Sequence, residues 1–389
     1  MPSEWRDLSL GEFVRLQRGH DLTASEQRPG NVPVMGSAGP NGTHSEALAK
    51  GPGVVIGRSG ASIGRVHYSD VDFWPHNTCL YVTDFLGNHP RFAYYLLKTL
   101  DLAGYNSGSA QPSLNRNYIY GLRLKVPLPA EQAQIVAVLQ ALDNRIDLLH
   151  QTNATLDSIA QALFKSWFID FDPVRAKAEG REPESMDAAT AALFPAEFEE
   201  SALGLIPKGW TVQRLSDLLE LSYGKALKST DRRDGHVPVY GSGGITGFHD
   251  EPLVPHGSVI VGRKGTVGSL YWEDRPFFPI DTTFYVKPKT VPLTFCFYAL
   301  QRLGLDSMNT DAAVPGLNRE NAYRLEVTRP DAAVTKAFND VTSSLRQAMR
   351  CNGDRAALLE SVRDSLLPRL ISGKLQLQNV PAQHEEAMA

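Results

Sequence analysis

Two kinds of apolar pattern alternate along this 389-residue chain. Short runs such as GVVIGR, GRVHY and TCLYV, and later SVIVGR, SLYW and TTFYV, are rich in Val, Ile, Tyr and Phe. Clusters of Gly, Pro, Asn and Asp punctuate them, which predicts short strands joined by long turns. One amphipathic helix is expected within each set, over RFAYYLLKTL (from Arg91) and LTFCFYALQRL (from Leu293). A different pattern follows each set. After Pro129 a stripe runs through Ile135, Val138, Leu142, Ile146, Leu149, Asn153, Leu156, Ala160, Leu163 and Trp167, the alternating spacing of a coiled-coil seam. The matching stripe near the C-terminus reads Phe338, Val341, Leu345, Met349, Asn352, Ala356, Leu359, Leu366 and Leu370.

Each seam holds one Asn, a polar core residue that costs stability and fixes register. The economical reading is that the two helices pair with each other. The residues expected to pair are Leu142, Ile146, Leu149, Asn153, Leu156 and Leu163 with Leu345, Met349, Asn352, Leu359 and Leu366. Arg363 stands where the first seam has Ala160, and Pro368 is expected to end or kink the second helix. A helix of about 35–40 residues is roughly 50–60 Å long, so a paired rod would hold two globular units well apart.

The two sets are copies of one another. PVMGSAGPNGTH from Pro33 returns as PVYGSGGITGFH from Pro238, an offset of 205 that also matches Trp5 with Trp210 and VVIGRSG with VIVGRKG. FWPHNTCLYV from Phe73 matches FFPIDTTFYV from Phe277 at 204, and PSLNRNYIYGLRL from Pro112 matches PGLNRENAYRLEV from Pro315 at 203. Collinear blocks with a slowly drifting offset mark an internal duplication. The fold class expected is α+β: two repeated β-rich units, each with a helix, separated by two long helices paired as an antiparallel coiled coil. The expected divisions are a first unit over 1–128, a long helix over 129–170, an acidic connector over 171–206, a second unit over 207–330, a second long helix over 331–375 and a disordered tail over 376–389.

Charge sharpens this picture once it is divided along the chain. The formal net charge is −4, but the repeated blocks each carry +2 and residues 129–206 carry −8. Two mildly basic units fit contact with nucleic acid. Cys79, Cys296 and Cys351 are odd in number and far apart, so neither a disulfide framework nor a zinc site is expected. No apolar run reaches the ~20 residues of a membrane span, and the N-terminus lacks the order of a signal peptide. A cytoplasmic protein with no membrane contact is expected.

The sequence resembles the specificity subunits of type I restriction-modification systems over roughly residues 1–375. The resemblance rests on the duplicated unit, on the order unit–helix–unit–helix, and on three stretches. These are FKSWFIDFDPVRAKAEG after the first helix, LGLIPKGW before the second unit and LLPRLISGKL closing the second helix. It implies that each unit is a target-recognition domain reading one half of a bipartite double-stranded DNA target. The helices would set the gap and dock two modification subunits. S-adenosylmethionine, ATP and magnesium would belong to those methyltransferase subunits and to a separate restriction subunit with motor and nuclease activity, with no cofactor in this chain. The units would be related by a pseudo-two-fold axis.

Catalysis by the chain itself is the main alternative, as a self-contained methyltransferase or nuclease, and a protein-binding adaptor is another. DNA amino-methyltransferases need a D/N-P-P-Y/F motif, and the nearest match, Asp172-Pro173-Val174, lacks the second Pro and the aromatic. The GKALKS segment at Lys225 and the Gly373-Lys374 pair lack the remainder of a phosphate-binding loop. His44 and His249 occupy equivalent positions near acids, and a repeated turn histidine reads better as a hydrogen-bonding or phosphate-contacting residue than as a base. No catalytic residue and no metal ligand is therefore expected.

Residues shared by the copies cannot distinguish two half-sites, so they are assigned to the DNA backbone. They are Arg58 and Ser59 with Arg263 and Lys264, on the two GRxG turns, and Asn115 and Arg116 with Asn318 and Arg319, where a structural role is nearly as good a reading. Base readout is expected where the copies diverge. The candidates are His20, Thr23, Arg28, Ser37, Asn106 and Gln111 in the first unit, and Lys225, Lys228, Arg232, Arg233, Ser242 and Asn309 in the second.

Overall fold

The computed structural model describes residues 5–107, 112–309 and 316–377; Gln111 and the tail beyond residue 377 lie outside them. The chain divides into two compact units, Met1–Leu148 with Arg355–Ala389, and Leu149–Asp354. The division falls in the middle of both long helices, so each unit is a β-rich domain plus a stretch of each helix.

In the first unit the strand Gly53–Gly57 lies between Cys79–Asp84 and Val66–Ser69, and Arg15–Arg18 completes a four-stranded sheet beside Cys79–Asp84. All pairings are antiparallel. Period-two alternation serves two cores, because successive side chains leave opposite faces of a strand. Val54, Ile56, Leu80 and Val82 pack with Phe92, Tyr95, Leu96 and Leu97 of the helix Pro90–Lys98. Val55, Cys79 and Tyr81 join Met35 and Phe73 on the other face, where a three-stranded sheet of Gly39–His44, Val32–Gly36 and Trp74–Pro75 forms. Arg6–Ser9 pairs with Arg123–Val126 and brings the two ends of the domain together.

The second unit repeats this order. Leu219–Tyr223, Thr283–Pro288, Ser258–Gly262 and Leu270–Glu273 form its four-stranded sheet, and Gly244–His249, Val237–Gly241 and Phe278–Pro279 the three-stranded one. Val259, Val261, Phe284 and Val286 face the helix Leu293–Leu300, whereas Ile260 faces Tyr240, Val254 and Phe277.

The long helices span Pro129–Phe168 and Ala332–Ile371. In the first unit Arg363 meets Asp143 at 3.0 Å. In the second, Asn352 donates to Asn153 at 3.0 Å, Asn153 donates to the Met349 carbonyl at 2.9 Å, and Arg346 meets Asp157 at 3.3 Å. The rings of Phe164 and Phe338 are 5.7 Å apart. Numbers rising along one helix meet numbers falling along the other, so the pairing is antiparallel. The two seam asparagines bond each other, which is how a polar seam position fixes register.

Each unit also ties its short helix to this pairing through a tyrosine. The Tyr95 hydroxyl donates to Asp143 at 2.5 Å, and Tyr298 lies 3.2 Å from Arg346 and 3.5 Å from Asp157. Both phenols are pushed above their ordinary range, first by burial. In both clusters the acid is on the first long helix and the base on the second.

Three expectations change. Pro368 neither ends nor breaks the second helix, which continues to Ile371; Leu367, Leu370 and Ile371 are buried in the first unit's core and hold that last turn. Val341 is 46% exposed, and buried Thr342 takes its place, its hydroxyl closing onto the Phe338 carbonyl at 2.7 Å. The acidic connector over 171–206 is more folded than an extended or partly helical segment. It forms helices Asp172–Ala178 and Ala188–Ala192 and the hairpin Phe198–Ser201 with Gly204–Pro207. Phe171, Val174, Phe194 and Ile206 are buried in the second unit's core beside Trp167 and Trp210, enough aromatic surface to anchor an otherwise acidic, Ala-rich stretch.

Candidate nucleic-acid interface

The two GRxG turns leave the ends of strands Gly53–Gly57 and Ser258–Gly262. Their first glycines are required by close approach: a Cβ on Gly57 would lie 2.1 Å from the Ser62 carbonyl oxygen, and one on Gly262 2.1 Å from that of Thr266. Their last glycines, Gly60 and Gly265, have φ of 75° and 82°, which side chains disfavour. Backbone bonds hold the arginine that follows each first glycine. Arg58 N–H donates to Thr78 O and Arg58 O accepts from Leu114 N–H; Arg263 repeats both bonds with Thr282 and Leu317.

Their guanidinium groups are left lightly engaged. Arg58 reaches the Asn77 carbonyl at 3.4 Å and Arg263 that of Asp281 at 3.0 Å. Neither has a carboxylate partner among the described residues. A half-buried arginine held at a fixed turn with a single carbonyl contact keeps donors for an anion. Lys264 is exposed. Ser59 is used within the turn: its N–H donates to Ser37 and its hydroxyl lies 3.5 Å from the Thr78 carbonyl.

Asn115 and Asn318 are helix N-caps. Their side-chain oxygens accept from Asn117 N–H, and from Glu320 and Asn321 N–H, at 2.9–3.2 Å. Capping occupies the oxygen and sets where the next residue points. Arg116 projects towards the strand Arg15–Arg18 and donates to the Leu16 carbonyl at 2.6 Å. Arg319 takes the equivalent place but stacks over Tyr223, its guanidinium carbon 4.9 Å from the ring centre.

In the first unit these elements line one groove of about 750 Å³, with Arg18, His20, Asp21, Arg58, Asn115 and Arg116 among its walls. Thus the structure brings His20 together with three of the backbone candidates, and adds Arg18 and Asp21, which the repeat comparison passed over. Asn106 pins a loop end, its side chain accepting from Ser113 N–H at 2.8 Å; Asn309 does the same with Gly316 at 3.0 Å.

The remaining candidates lie elsewhere. Ser37 donates to the Thr78 carbonyl at 2.5 Å and Ser242 accepts at its carbonyl from Ser269 and Tyr271, so both support the turns from behind. Thr23 is bonded to Glu26 within its own exposed turn, and Arg28 lies 3.5 Å from Glu46. Arg232 donates to the Thr246 carbonyl at 2.7 Å, while Arg233 is paired with Asp250 and Glu251. Lys225 and Lys228 are exposed.

His44 and His249 are buried, and Nδ1 of each accepts from a backbone N–H, of Arg28 at 3.0 Å and Arg233 at 3.1 Å. That geometry makes them loop anchors. A further repeated device is the pair Tyr120 and Tyr323, whose hydroxyls accept from Leu16 and Leu221 N–H at 2.8 and 2.9 Å. The signal was present in the sequence: both tyrosines, with Leu122 and Leu325 two residues on, survive in the divergent blocks after the shared Leu-Asn-Arg. Among the described residues no three His, Cys, Asp or Glu side chains gather as a metal site, and no helix is long and apolar enough to cross a membrane.

A family model described as the type I restriction modification DNA specificity domain matches residues 2–158 and again 207–321, one match on each copy. The chain belongs to the type I DNA specificity family. Among specificity proteins it is 25% identical to the specificity subunit of the Haemophilus influenzae type I restriction enzyme HindI, over 96% of this chain and 100% of that protein. It is 23% identical to the MjaIX specificity subunit of Methanocaldococcus jannaschii, over 74% and 70% respectively. The crystal structure of a type I restriction-modification S subunit from M. genitalium shares the specificity fold, with a TM-score of 0.62 at 18% identity, covering 95% of this chain and 96% of that one.

Proposed function

We propose that this specificity protein selects a bipartite double-stranded DNA target, each unit reading one half, for enzymes that it does not itself contain. The observation that carries this is the repetition of one anion-ready frame, Arg58 and Arg116 in one copy and Arg263 and Arg319 in the other, bordered by loops whose sequences differ. Shared arginines supply a grip on phosphate that is independent of sequence, and divergent loops supply the difference between half-sites. Within that division His20, which lines the groove with Arg58 and Arg116, is the base-reading candidate best placed beside the frame.

The paired helices offer docking surface for modification subunits that bring S-adenosylmethionine, and for a restriction subunit using ATP and magnesium. Chemistry resides on those partners in this reading. The test is the methylome of a host with and without the gene. One split methyl-adenine motif should disappear on deletion and return on complementation; an unchanged methylome overturns the proposal. Turnover of labelled S-adenosylmethionine by the purified chain alone would overturn the non-catalytic assignment.

A further inference from the structure

The two anion-ready frames are not equal: the second has Lys264 in place of Ser59 and Glu320, 3.5 Å from Arg319, in place of Asn117, and the two also differ at one cross-strand pair. In the first unit Arg18 is opposite Leu80 on the neighbouring strand. In the second unit the same ladder position holds Tyr223 opposite Phe284. Both residues change together, from cation with aliphatic to two aromatics whose ring centres are 4.9 Å apart.

The consequence for the shared arginines differs accordingly. In the second unit the exposed ring of Tyr223 lies against both, with the guanidinium carbons of Arg263 and Arg319 each 4.9 Å from its centre. Stacking of this kind holds a planar cation in place without consuming its in-plane N–H donors. In the first unit no ring occupies that position. Arg18, Arg58 and Arg116 instead line the open groove, together with the polar side chains of Ser107, Asn115 and Asn117. The one carboxylate there, Asp21, is 3.5 Å from Arg18, and both side chains are more than half exposed, at 75% and 56%. An exposed pair at that separation is weak and yields to a better anion. Its repeat counterpart is Ala226.

We propose that position 18 and its counterpart 223 set how each unit grips the DNA backbone: Arg18 is a third phosphate ligand in the first unit, and Tyr223 replaces that ligand with an aromatic clamp on the two shared arginines. The inference rests on the DNA-reading function proposed above and deepens it. The two units then share a frame but differ at this position, the first holding a third cation in the groove where the second holds an aromatic clamp.

The test measures binding of the full chain, assembled with its modification subunits, to its target duplex across a salt series. Each phosphate contact contributes about 0.9 to the slope of log K against log salt. Arg18→Gln should lower that slope by about one, and Tyr223→Arg should raise it by about one. Arg18 is exposed, so the Gln variant should fold; Arg18→Tyr with Leu80→Phe transplants the whole aromatic pair and should give the same lowered slope. Retained binding with unchanged slopes in Arg18→Gln and in the transplant overturns the inference. Wild-type binding without salt dependence, or without sequence preference, would instead overturn the underlying reading.

Discussion

Tyr95 is the clearest case of one side chain carrying a measurable property of the fold. Burial, reinforced by the Asp143 carboxylate that its hydroxyl contacts, pushes the phenol well above its ordinary value of 10. A raised folded-state value means that the native chain keeps a proton which the unfolded chain releases. The stabilisation is complete below pH 10 and is lost as pH rises above it. Urea midpoints measured from about pH 9 to about pH 11 should therefore fall with pH, and Tyr95→Phe should flatten the part belonging to the first unit. Cysteines give a second reading at this scale. Burial pushes Cys79 and Cys296 up to about 12, whereas Cys351 is exposed. One thiol should react with a maleimide at neutral pH in the native protein, and three after denaturation; labelling of Cys79 or Cys296 without unfolding would contradict the packing of their sheets.

Among elements, the long helices show best what the sequence carried and what it withheld. Their existence and pairing were readable because apolar spacing is a local signal, and the one Asn in each seam pointed to a partner. The pairing of Arg363 was not readable, since its partner Asp143 lies 220 residues away and appears on the seam of neither helix. The folded character of residues 171–206 was hidden for a related reason: Phe171, Phe194 and Ile206 are few and far apart among acids and alanines. The N-cap role of Asn115 and Asn318 was hidden because the helices they start are only four and five residues long. The Asp143–Arg363 pair is mostly buried, at 21% and 19% exposure. Removing Arg363 leaves Asp143 with the Tyr95 hydroxyl, and removing Asp143 leaves Arg363 with the exposed Asp364. A double-mutant cycle with Asp143→Ala and Arg363→Ala should still show coupling of about 1–3 kcal/mol by chemical denaturation. Additive effects would mean that the contact contributes nothing.

For the whole molecule, the proposed division of labour predicts that the target is modular. Replacing the divergent loop of residues 19–32 with that of a relative, while leaving the frame of Arg58 and Arg116 intact, should alter one half of the methylated motif and leave the other unchanged. Methylome sequencing of the complemented host reads both halves at once. A change in both halves would contradict independent reading by the two units. Loss of Arg58 should behave differently, weakening binding to all sequences alike and reducing its salt dependence.

A chain made by duplication inherits an ambiguity, because each arm was once equally suited to its own twin. The repeat offset of 203 superposes position 346 on 143 and 363 on 160, so two first helices laid together would bring Asp143 beside Asp157. Two second helices would likewise set Arg346 beside Arg363. Keeping acids on one arm and bases on the other breaks the tie in favour of the partner within the same chain. The exchange Asp143→Arg with Arg363→Asp would restore the ambiguity, since each arm then carries both signs. Refolded at high concentration, that variant should populate dimers by light scattering where the parent does not. If both remain equally monomeric, charge is not what distinguishes sibling from self.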